Sequence, residues 1–170
     1  MTAELGRSAR KAILIVDDHP VLRRGLSAMI ESEADLAICG EAATCAAALR
    51  VLREHRPDLV IVDLALEGSD GLDLIKEIKA HHPETPVLVR SMHDEDVYAE
   101  RALRAGAQGY VTKQQLDDTV LVAIRRVLGG EMYLSARLQA RLAHKFLGGQ
   151  TLGRDSMLQV LSDRELQVFR

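Results

Sequence analysis

Residues 12–18 read Ala12-Ile13-Leu14-Ile15-Val16-Asp17-Asp18, an uninterrupted apolar run that ends in two carboxylates. A second run, Leu59-Val60-Ile61-Val62, ends in Asp63. Short Val/Ile/Leu runs are typical of strands in a parallel sheet that helices cover on both faces. Ligands of such sheets bind beyond the carboxyl ends of the strands, so the sequence predicts that the three aspartates converge in one crevice.

Strand and helix patterns alternate five times along the chain. The predicted strands are residues 12–16, 36–40, 59–62, 86–89 and 109–111. The predicted helices begin near Pro20, Thr44, Leu72, Asp94 and Gln115, and each repeats apolar residues at helical spacing. Repeated β-α units imply one right-handed parallel sheet. We therefore expect an α/β fold with a five-stranded, doubly wound parallel sheet, followed by a helical linker.

Length and composition limit the classes of protein that this chain can represent. Its 170 residues suffice for one domain and a small addition. The apolar runs are far shorter than the ~20 residues that span a bilayer, and the N-terminus lacks a signal-peptide pattern, so we expect a cytoplasmic protein without membrane association. Cys39 and Cys45 are too few for a disulfide framework and are expected to be small buried hydrophobes.

Three aspartates in one crevice would repel one another and raise each other's pKa unless a cation neutralises them. Carboxylate oxygens suit a hard cation, and Mg²⁺ is the usual choice. A simpler interpretation exists for either member of the first pair, because Asp17 or Asp18 alone could cap the helix that begins at Pro20. The whole constellation favours the metal site.

The chain resembles a known family through four parts in the same order and spacing. These are Val16-Asp17-Asp18-His19-Pro20, then Asp63, then Ser91, and then Gly109-Tyr110-Val111-Thr112-Lys113. Together they resemble the receiver domain of bacterial two-component response regulators, over about residues 11–130. A single Asp-Asp pair would be a weak signal, whereas the ordered set is specific.

The resemblance implies a phosphorylation site and a metal site. The residue that matches Asp63 is the phospho-acceptor in the family, and those that match Asp17 and Asp18 hold Mg²⁺. The backbone carbonyl of Ala65 would complete the protein's share of the coordination. A sensor histidine kinase would supply the phosphoryl group.

Further residues match the groups that stabilise and report the phosphoryl group in this family. Lys113 would provide a cation, and Ser91 would donate a hydrogen bond to a phosphoryl oxygen. Tyr110 would be the switch aromatic, expected as a half-buried ring that rotates inward when Ser91 moves. Met92 and His93, just beyond Ser91, are candidate modulators, and we expect His93 to influence the lifetime of the aspartyl phosphate by orienting water.

Each of these residues also has an ordinary structural interpretation. Lys113 alone would be a solvated lysine, Ser91 a strand-end hydroxyl and Tyr110 a core residue. The histidines show no shared ligand spacing and are interpreted as surface or loop residues: His19, His55, His81, His82, His93 and His144. The joint arrangement at strand ends favours function for the aspartates, Ser91 and Lys113.

Three positions depart from the commonest family pattern. Leu66-Glu67 stands where a Met-Pro pair often follows the phospho-acceptor, which puts the rigidity of that loop in question. Gln114 replaces the proline that frequently follows the lysine, so the peptide isomer there is open. Arg90 places a charge at the end of a strand that is expected to be buried.

The C-terminal part suggests which branch of the family the chain resembles. An amphipathic helix is predicted with Leu138, Leu142 and Phe146 at four-residue spacing. A parallel basic stripe consists of Arg137, Arg141 and Lys145, and such stripes are usually solvated faces. The slight excess of basic residues over 131–170 is weak support for DNA binding.

Residues 161–166, Leu-Ser-Asp-Arg-Glu-Leu, form a capping box with a hydrophobic staple. With the residues that follow, they resemble the first helix of a LuxR-type helix-turn-helix, as in the NarL/FixJ subfamily. The expected organisation is an N-terminal tail at 1–10, a receiver at 11–130, a linker at 131–160 and the truncated start of the helix-turn-helix domain at 161–170. No DNA-binding residue is therefore expected within this chain.

We expect a phosphorylation-activated response regulator that controls transcription. Phosphorylation would favour a homodimer, and promoter DNA would bind through the missing helix-turn-helix domain. Such a protein accepts phosphate without being a turnover enzyme. Two alternatives remain open: a receiver that acts only as a phosphorylation-independent binding module, and a Mg²⁺-dependent aspartyl-phosphate phosphohydrolase.

Overall fold

The computed structural model describes residues 9–115 and 117–148, except for the side chain of Phe146. The predicted helix-turn-helix start at 161–170 lies outside the described residues, as does most of the N-terminal tail. No helix in the described part of the chain is long and apolar enough to cross a membrane.

The main sheet has five parallel strands in the order β2-β1-β3-β6-β7. Their bounds are β1 Lys11–Val16, β2 Leu36–Ala42, β3 Leu59–Val62, β6 Val87–Ser91 and β7 Gly109–Thr112. All four residues of the central strand β3 are buried, as expected for a strand that helices cover on both faces. The predicted five-stranded parallel sheet is confirmed.

Six helices accompany the sheet in the part of the chain that the structure describes. Their bounds are α1 Pro20–Glu31, α2 Cys45–His55, α3 Gly71–His81, α4 Glu95–Ala105, α5 Asp117–Leu128 and α6 Ala136–Gly148. Thr44 caps α2 by accepting the amide of Ala47, and Gly106 ends α4 at a φ of 125°, where a side chain would be strained. These local signals match the predicted helix boundaries to within one or two residues.

Two apolar cores lie on opposite faces of the sheet. One core contains the helices α2, α3 and α4, and the other contains α1 and α5. Successive side chains of β6 point to opposite faces of the sheet, so Val89 packs in the first core and Leu88 in the second. The sheet is therefore apolar on both faces at its centre, and polar groups collect at its carboxyl edge.

The structure adds one element that the sequence did not predict. Ala65–Leu66 (β4) and Ser69–Asp70 (β5) form a short antiparallel hairpin between β3 and α3. Gly68 has a φ of 73° at its turn, which fits the turn chemistry read from residues 67–71. The hairpin lies directly beyond Asp63 and gives the loop a defined path.

The segment after α5 packs against the receiver. Tyr133 exchanges backbone hydrogen bonds with the edge of the sheet, donating to Gln108 and accepting from Tyr110, each at 3.0 Å. In α6, Leu138 is fully buried in the first core and Leu142 packs against it. The apolar stripe predicted on this helix is therefore used within the chain, although its third member, Phe146, lies outside the described side chains.

Charged residues also join α6 to α4. Arg137 and Arg141 contact the carboxylate of Asp96, the latter at 3.0 Å, and Lys145 contacts Glu100 at 3.0 Å. The basic stripe is solvent-exposed, as interpreted, because the side chains of Arg137, Arg141 and Lys145 are 75%, 37% and 62% exposed, and its ion pairs with α4 are an additional feature. We call this set of contacts the α4–α6 seam.

Candidate functional site

The strand order reverses beside β1, and the crevice at this switch point is where ligands bind in open α/β sheets. Asp17 follows β1 and Asp63 follows the adjacent strand β3. Their relative exposures are only 4% and 3%, so both carboxylates are nearly buried. The sheet thus brings together two of the three acids that the apolar runs predicted.

Lys113 connects these two carboxylates. It follows β7, and its Nζ lies 2.8 Å from Asp17 Oδ2 and 2.8 Å from Asp63 Oδ2. The lysine side chain is 1% exposed, so the interpretation as a solvated lysine is wrong. A buried ammonium between two buried carboxylates compensates part of their repulsion.

The electrostatics of Asp17 follow from this arrangement. Burial alone would raise the pKa of Asp17, but hydrogen bonds from the Lys113 ammonium and from the backbone N–H of His19 outweigh it. The pKa of Asp17 is lowered overall, so this carboxylate is ionised and available to a cation at neutral pH.

Asp18 completes the acidic cluster, and one of its two carboxylate oxygens accepts no hydrogen bond from the described residues. Its Oδ2 accepts the backbone N–H of Glu67 at 2.7 Å, whereas its buried Oδ1 makes no hydrogen bond among the described residues and faces His19 Nδ1 at 3.0 Å. A buried carboxylate oxygen without a partner is costly unless a cation or water satisfies it. The oxygen donors of this cluster therefore fit a hard divalent cation.

Glu67 also explains why the loop does not need the family's proline. Its N–H donates to Asp18, and a proline at this position would have no N–H to donate. Ala65 is held in the same loop, because its N–H donates to Asp63 Oδ1 at 3.2 Å. Hydrogen bonds and the hairpin thus fix the loop.

No cis peptide bond occurs among the described residues, so Gln114 follows Lys113 in the trans form.

His19 belongs to the cluster, which the sequence reading did not predict. Its Nδ1 lies 3.0 Å from Asp17 Oδ1 and 3.0 Å from Asp18 Oδ1, and its side chain is 54% exposed. The spacing of histidines along the chain gave no sign of this. Its position between Asp18 and the helix-opening Pro20 was the available signal.

Ser91 and Tyr110 lie next to each other beneath the crevice. Ser91 is fully buried, and its Oγ accepts the N–H of His93 at 3.0 Å. Tyr110 is 1% exposed rather than half-buried, and its hydroxyl donates to the carbonyl of His93 at 3.0 Å. Burial raises the pKa of Tyr110 to about 12, and the Ser91 hydroxyl offsets this only in part.

The two residues predicted as modulators have different surroundings. Met92 is 61% exposed. The ring of His93 stacks on Tyr98 of α4, with a centroid distance of 4.5 Å, so α4 holds this side chain. The effect of His93 on phosphate lifetime stays a prediction.

Arg90 is partly buried on the α1 and α5 face of the sheet, since it shares a face with Leu88. Its Nε and Nη1 atoms are buried and have no hydrogen-bond partner among the described residues. Burial lowers the pKa of Arg90, while the negative charges of Asp17, Asp117 and Asp63 oppose that effect. The attraction of these carboxylates explains how a charged guanidinium is accommodated at the end of a buried strand.

Comparison with known proteins matches residues 13–125 to the response regulator receiver domain. The oxygen regulatory protein NreC of Staphylococcus haemolyticus is 34% identical over 161 residues, covering 92% of this chain and 74% of that protein. A LuxR-family two-component response regulator from Aurantimonas is 33% identical with a TM-score of 0.76, over 82% of this chain and 99% of that one.

A third similar structure is the isolated REC domain of RcsB from Salmonella enterica, determined with the phosphomimetic BeF3⁻. It is 25% identical with a TM-score of 0.71, over 77% of this chain and 97% of that one. The family match at residues 13–125 includes Asp17, Asp18, Asp63, Ser91 and Lys113.

Proposed function

The chain belongs to the response regulator family, as a LuxR/NarL-type phosphorylation-activated transcription regulator of a two-component system, and we propose that Asp63 is its phospho-acceptor. The observation that carries the proposal is the contact of Lys113 Nζ with both Asp17 and Asp63 at 2.8 Å. It places a cation against a nearly buried carboxylate at the switch point of the sheet.

The proposed reaction is one phosphoryl transfer. A carboxylate oxygen of Asp63 forms a bond to the phosphorus of a phosphohistidine on a sensor kinase, and the bond from phosphorus to the imidazole nitrogen breaks. The departing nitrogen keeps the bonding electron pair and then takes a proton. The product is an acyl phosphate on Asp63 and a free histidine on the kinase.

The residues around Asp63 stabilise the charge that spreads over the phosphoryl oxygens during transfer. Lys113 exchanges its contact with Asp63 Oδ2 for one with a phosphoryl oxygen. Ser91 turns its hydroxyl proton from the Tyr110 oxygen to a phosphoryl oxygen, while its own oxygen can keep accepting the N–H of His93.

The acidic cluster holds the divalent cation, for which Mg²⁺ is the proposed occupant. Asp17 and Asp63 contribute nearly buried carboxylates, Asp18 contributes its unpaired Oδ1, and Ala65 contributes its backbone carbonyl. A bound Mg²⁺ supplies positive charge next to the transferring phosphoryl group.

A direct test uses acetyl phosphate and Mg²⁺ with intact-mass detection. The wild-type chain is expected to gain one phosphoryl group, and Asp63→Asn none, because the amide is a poor nucleophile. Asp73→Asn, an exposed acid on α3, is the matched control and should behave like the wild type. Stoichiometric phosphate on Asp63→Asn would refute the assignment.

The same experiment separates the alternative functions. Lasting failure of the wild type to accept phosphate from acetyl phosphate or from a kinase would favour a phosphorylation-independent binding module. Repeated turnover of phosphate esters would favour a phosphohydrolase. Those enzymes carry a second acid two residues after the nucleophile, whereas Ala65 occupies that position here.

Phosphorylation is proposed to favour a homodimer, and DNA binding to reside in residues beyond the receiver. The partners in keeping with the family are a sensor histidine kinase and promoter DNA. Since Leu138 is buried in its own chain, the apolar stripe of α6 is not free to form the dimer in this conformation. The exposed parts of α4, β7 and α5 remain the proposed surface.

A further inference from the structure

The imidazole of His19 reaches into the carboxylate cluster from the solvent side. Besides its 3.0 Å contacts to Asp17 Oδ1 and Asp18 Oδ1, its Nδ1 lies 3.7 Å from Asp63 Oδ2. One ring nitrogen therefore faces all three carboxylates. Potential ligand atoms of the four residues all lie within 4.8 Å of one another.

These separations match the geometry of a single coordination sphere. A small divalent cation with octahedral ligands at ~2.1 Å places adjacent ligand atoms about 3.0 Å apart. The distances from His19 Nδ1 to Asp17 Oδ1 and to Asp18 Oδ1 have this value. The ring nitrogen is thus at the spacing of a ligand that neighbours both oxygens.

The backbone keeps His19 at this position. It lies three residues after the end of β1, its N–H donates to Asp17 Oδ1 at 2.9 Å, and Pro20 starts α1 immediately afterwards. The exposed edge of the ring leaves Nε2 free to carry the proton in the tautomer whose Nδ1 is a ligand.

We propose that His19 is a protein ligand of the divalent cation and that it selects borderline transition-metal ions, such as Co²⁺ and Ni²⁺, over Mg²⁺. Imidazole nitrogen suits these borderline ions better than it suits Mg²⁺, which prefers oxygen and retains water. The inference rests on the proposed function, because it takes the carboxylate cluster to be a cation site.

Calorimetric titration of the untagged 170-residue chain with Co²⁺ and with Mg²⁺ tests the selection. His19→Ala is expected to weaken Co²⁺ binding by about tenfold or more, since loss of even a group that orients a ligand costs 10- to 100-fold. Its Mg²⁺ affinity is expected to change by less than about threefold, because water replaces the ring. His55→Ala is the matched control, as it removes a half-exposed histidine remote in sequence from the cluster.

Electron spin-echo measurements on the Mn²⁺-loaded chain provide a readout that a merely structural role would not affect. The wild type and His55→Ala should show coupling from a directly bound imidazole nitrogen, and His19→Ala should lack it. Unchanged Co²⁺ affinity in His19→Ala, or absence of this coupling in the wild type, would overturn the inference.

A gain in affinity for both Co²⁺ and Mg²⁺ in His19→Ala would also overturn it, because the ring would then compete with the cation. Asp18→Asn separates these results from failure of the site itself. If Asp18→Asn loses cation binding and His19→Ala does not, only the role of His19 is wrong. If neither variant changes binding, the proposed cation site is wrong as well.

Discussion

At the scale of single residues, the buried ammonium of Lys113 holds the crevice together. It is the partner of two carboxylates that are themselves only 4% and 3% exposed. Breaking a buried ion pair by removing one partner is far more costly than losing a surface pair, because the remaining charge is left uncompensated. The residue that is proposed to assist phosphoryl transfer is thus also required for stability.

We expect Lys113→Ala to lower the free energy of unfolding by about 3–5 kcal/mol without metal, and Mg²⁺ to restore part of the loss. Urea unfolding with and without Mg²⁺ measures both effects. Lys76→Ala is the control, because Lys76 is 65% exposed on α3, and its change should stay within about 0.5 kcal/mol. Equal stability of Lys113→Ala and Lys76→Ala would contradict the buried role.

Acid should weaken the same cluster. The pKa of Asp17 is lower in the folded state than its ordinary value of 3.8, so the ionised carboxylate adds to the free energy of unfolding. This contribution is fully present above pH 3.8 and is lost as the pH falls through the lower pKa of the folded state. Asp17→Asn removes this group, so the variant should lose less stability than the wild type between pH 5 and about 3. Thermal unfolding at these pH values compares the two, and parallel losses would contradict the lowered pKa.

At the scale of elements, α3 is placed by a close backbone approach at its first residue. A Cβ at Gly71 would lie 2.4 Å from the carbonyl oxygen of Asp63 and 2.6 Å from Leu64 Cα. Only glycine allows the helix to begin directly against the loop that carries Asp63. The start of α3 and the position of the proposed phospho-acceptor are therefore linked.

Gly71→Ala is expected to destabilise the chain by about 1–3 kcal/mol through overpacking and to slow phosphorylation of Asp63. Gly25→Ala, in α1, has open space around its Cβ and should stabilise by roughly 0.5–1 kcal/mol. Chemical denaturation and the rate of acetyl-phosphate labelling measure the two effects. A stable, normally labelled Gly71→Ala would show that the loop tolerates displacement.

The ion pairs of the α4–α6 seam lead to a second prediction at this scale. Glu100→Lys should reduce hydrogen-exchange protection of residues 136–147 by about two- to fivefold, because exposed ion pairs contribute about 0.2–1 kcal/mol each. Lys145→Glu in the same chain should restore it. Glu77→Lys on α3 is the control, because this glutamate is 56% exposed and pairs with His81 of its own helix, whereas Glu100 is 26% exposed.

The seam should also respond to pH. The hydrogen bond from Lys145 lowers the pKa of Glu100 below its ordinary value of 4.5. The seam is therefore complete above pH 4.5 and weakens as pH falls through the lowered value. Chemical shifts of α6 followed from pH 6 to 3 would report this, and shifts that do not change until global unfolding would contradict it.

At the scale of the whole molecule, the fold could be read from the sequence because its signals are local and repeated. Apolar strands, helix caps and strand-end aspartates each identify their own position. The seam could not be found this way, because the acids Asp96 and Glu100 are about 40 residues from the basic stripe and neither set specifies the other. The direction of the His19 ring and the burial of Tyr110 likewise depend on packing.

The anchoring of α6 near its first turn has a mechanical consequence. Leu138 is fully buried there, whereas Leu147 at the far end is 85% exposed. They are nine residues apart in the helix, a distance of about 13.5 Å, so a 10° tilt about the anchor would displace the far end by about 2 Å. A movement of α4 that is too small to alter the core would therefore produce a larger displacement at the C-terminal end of α6.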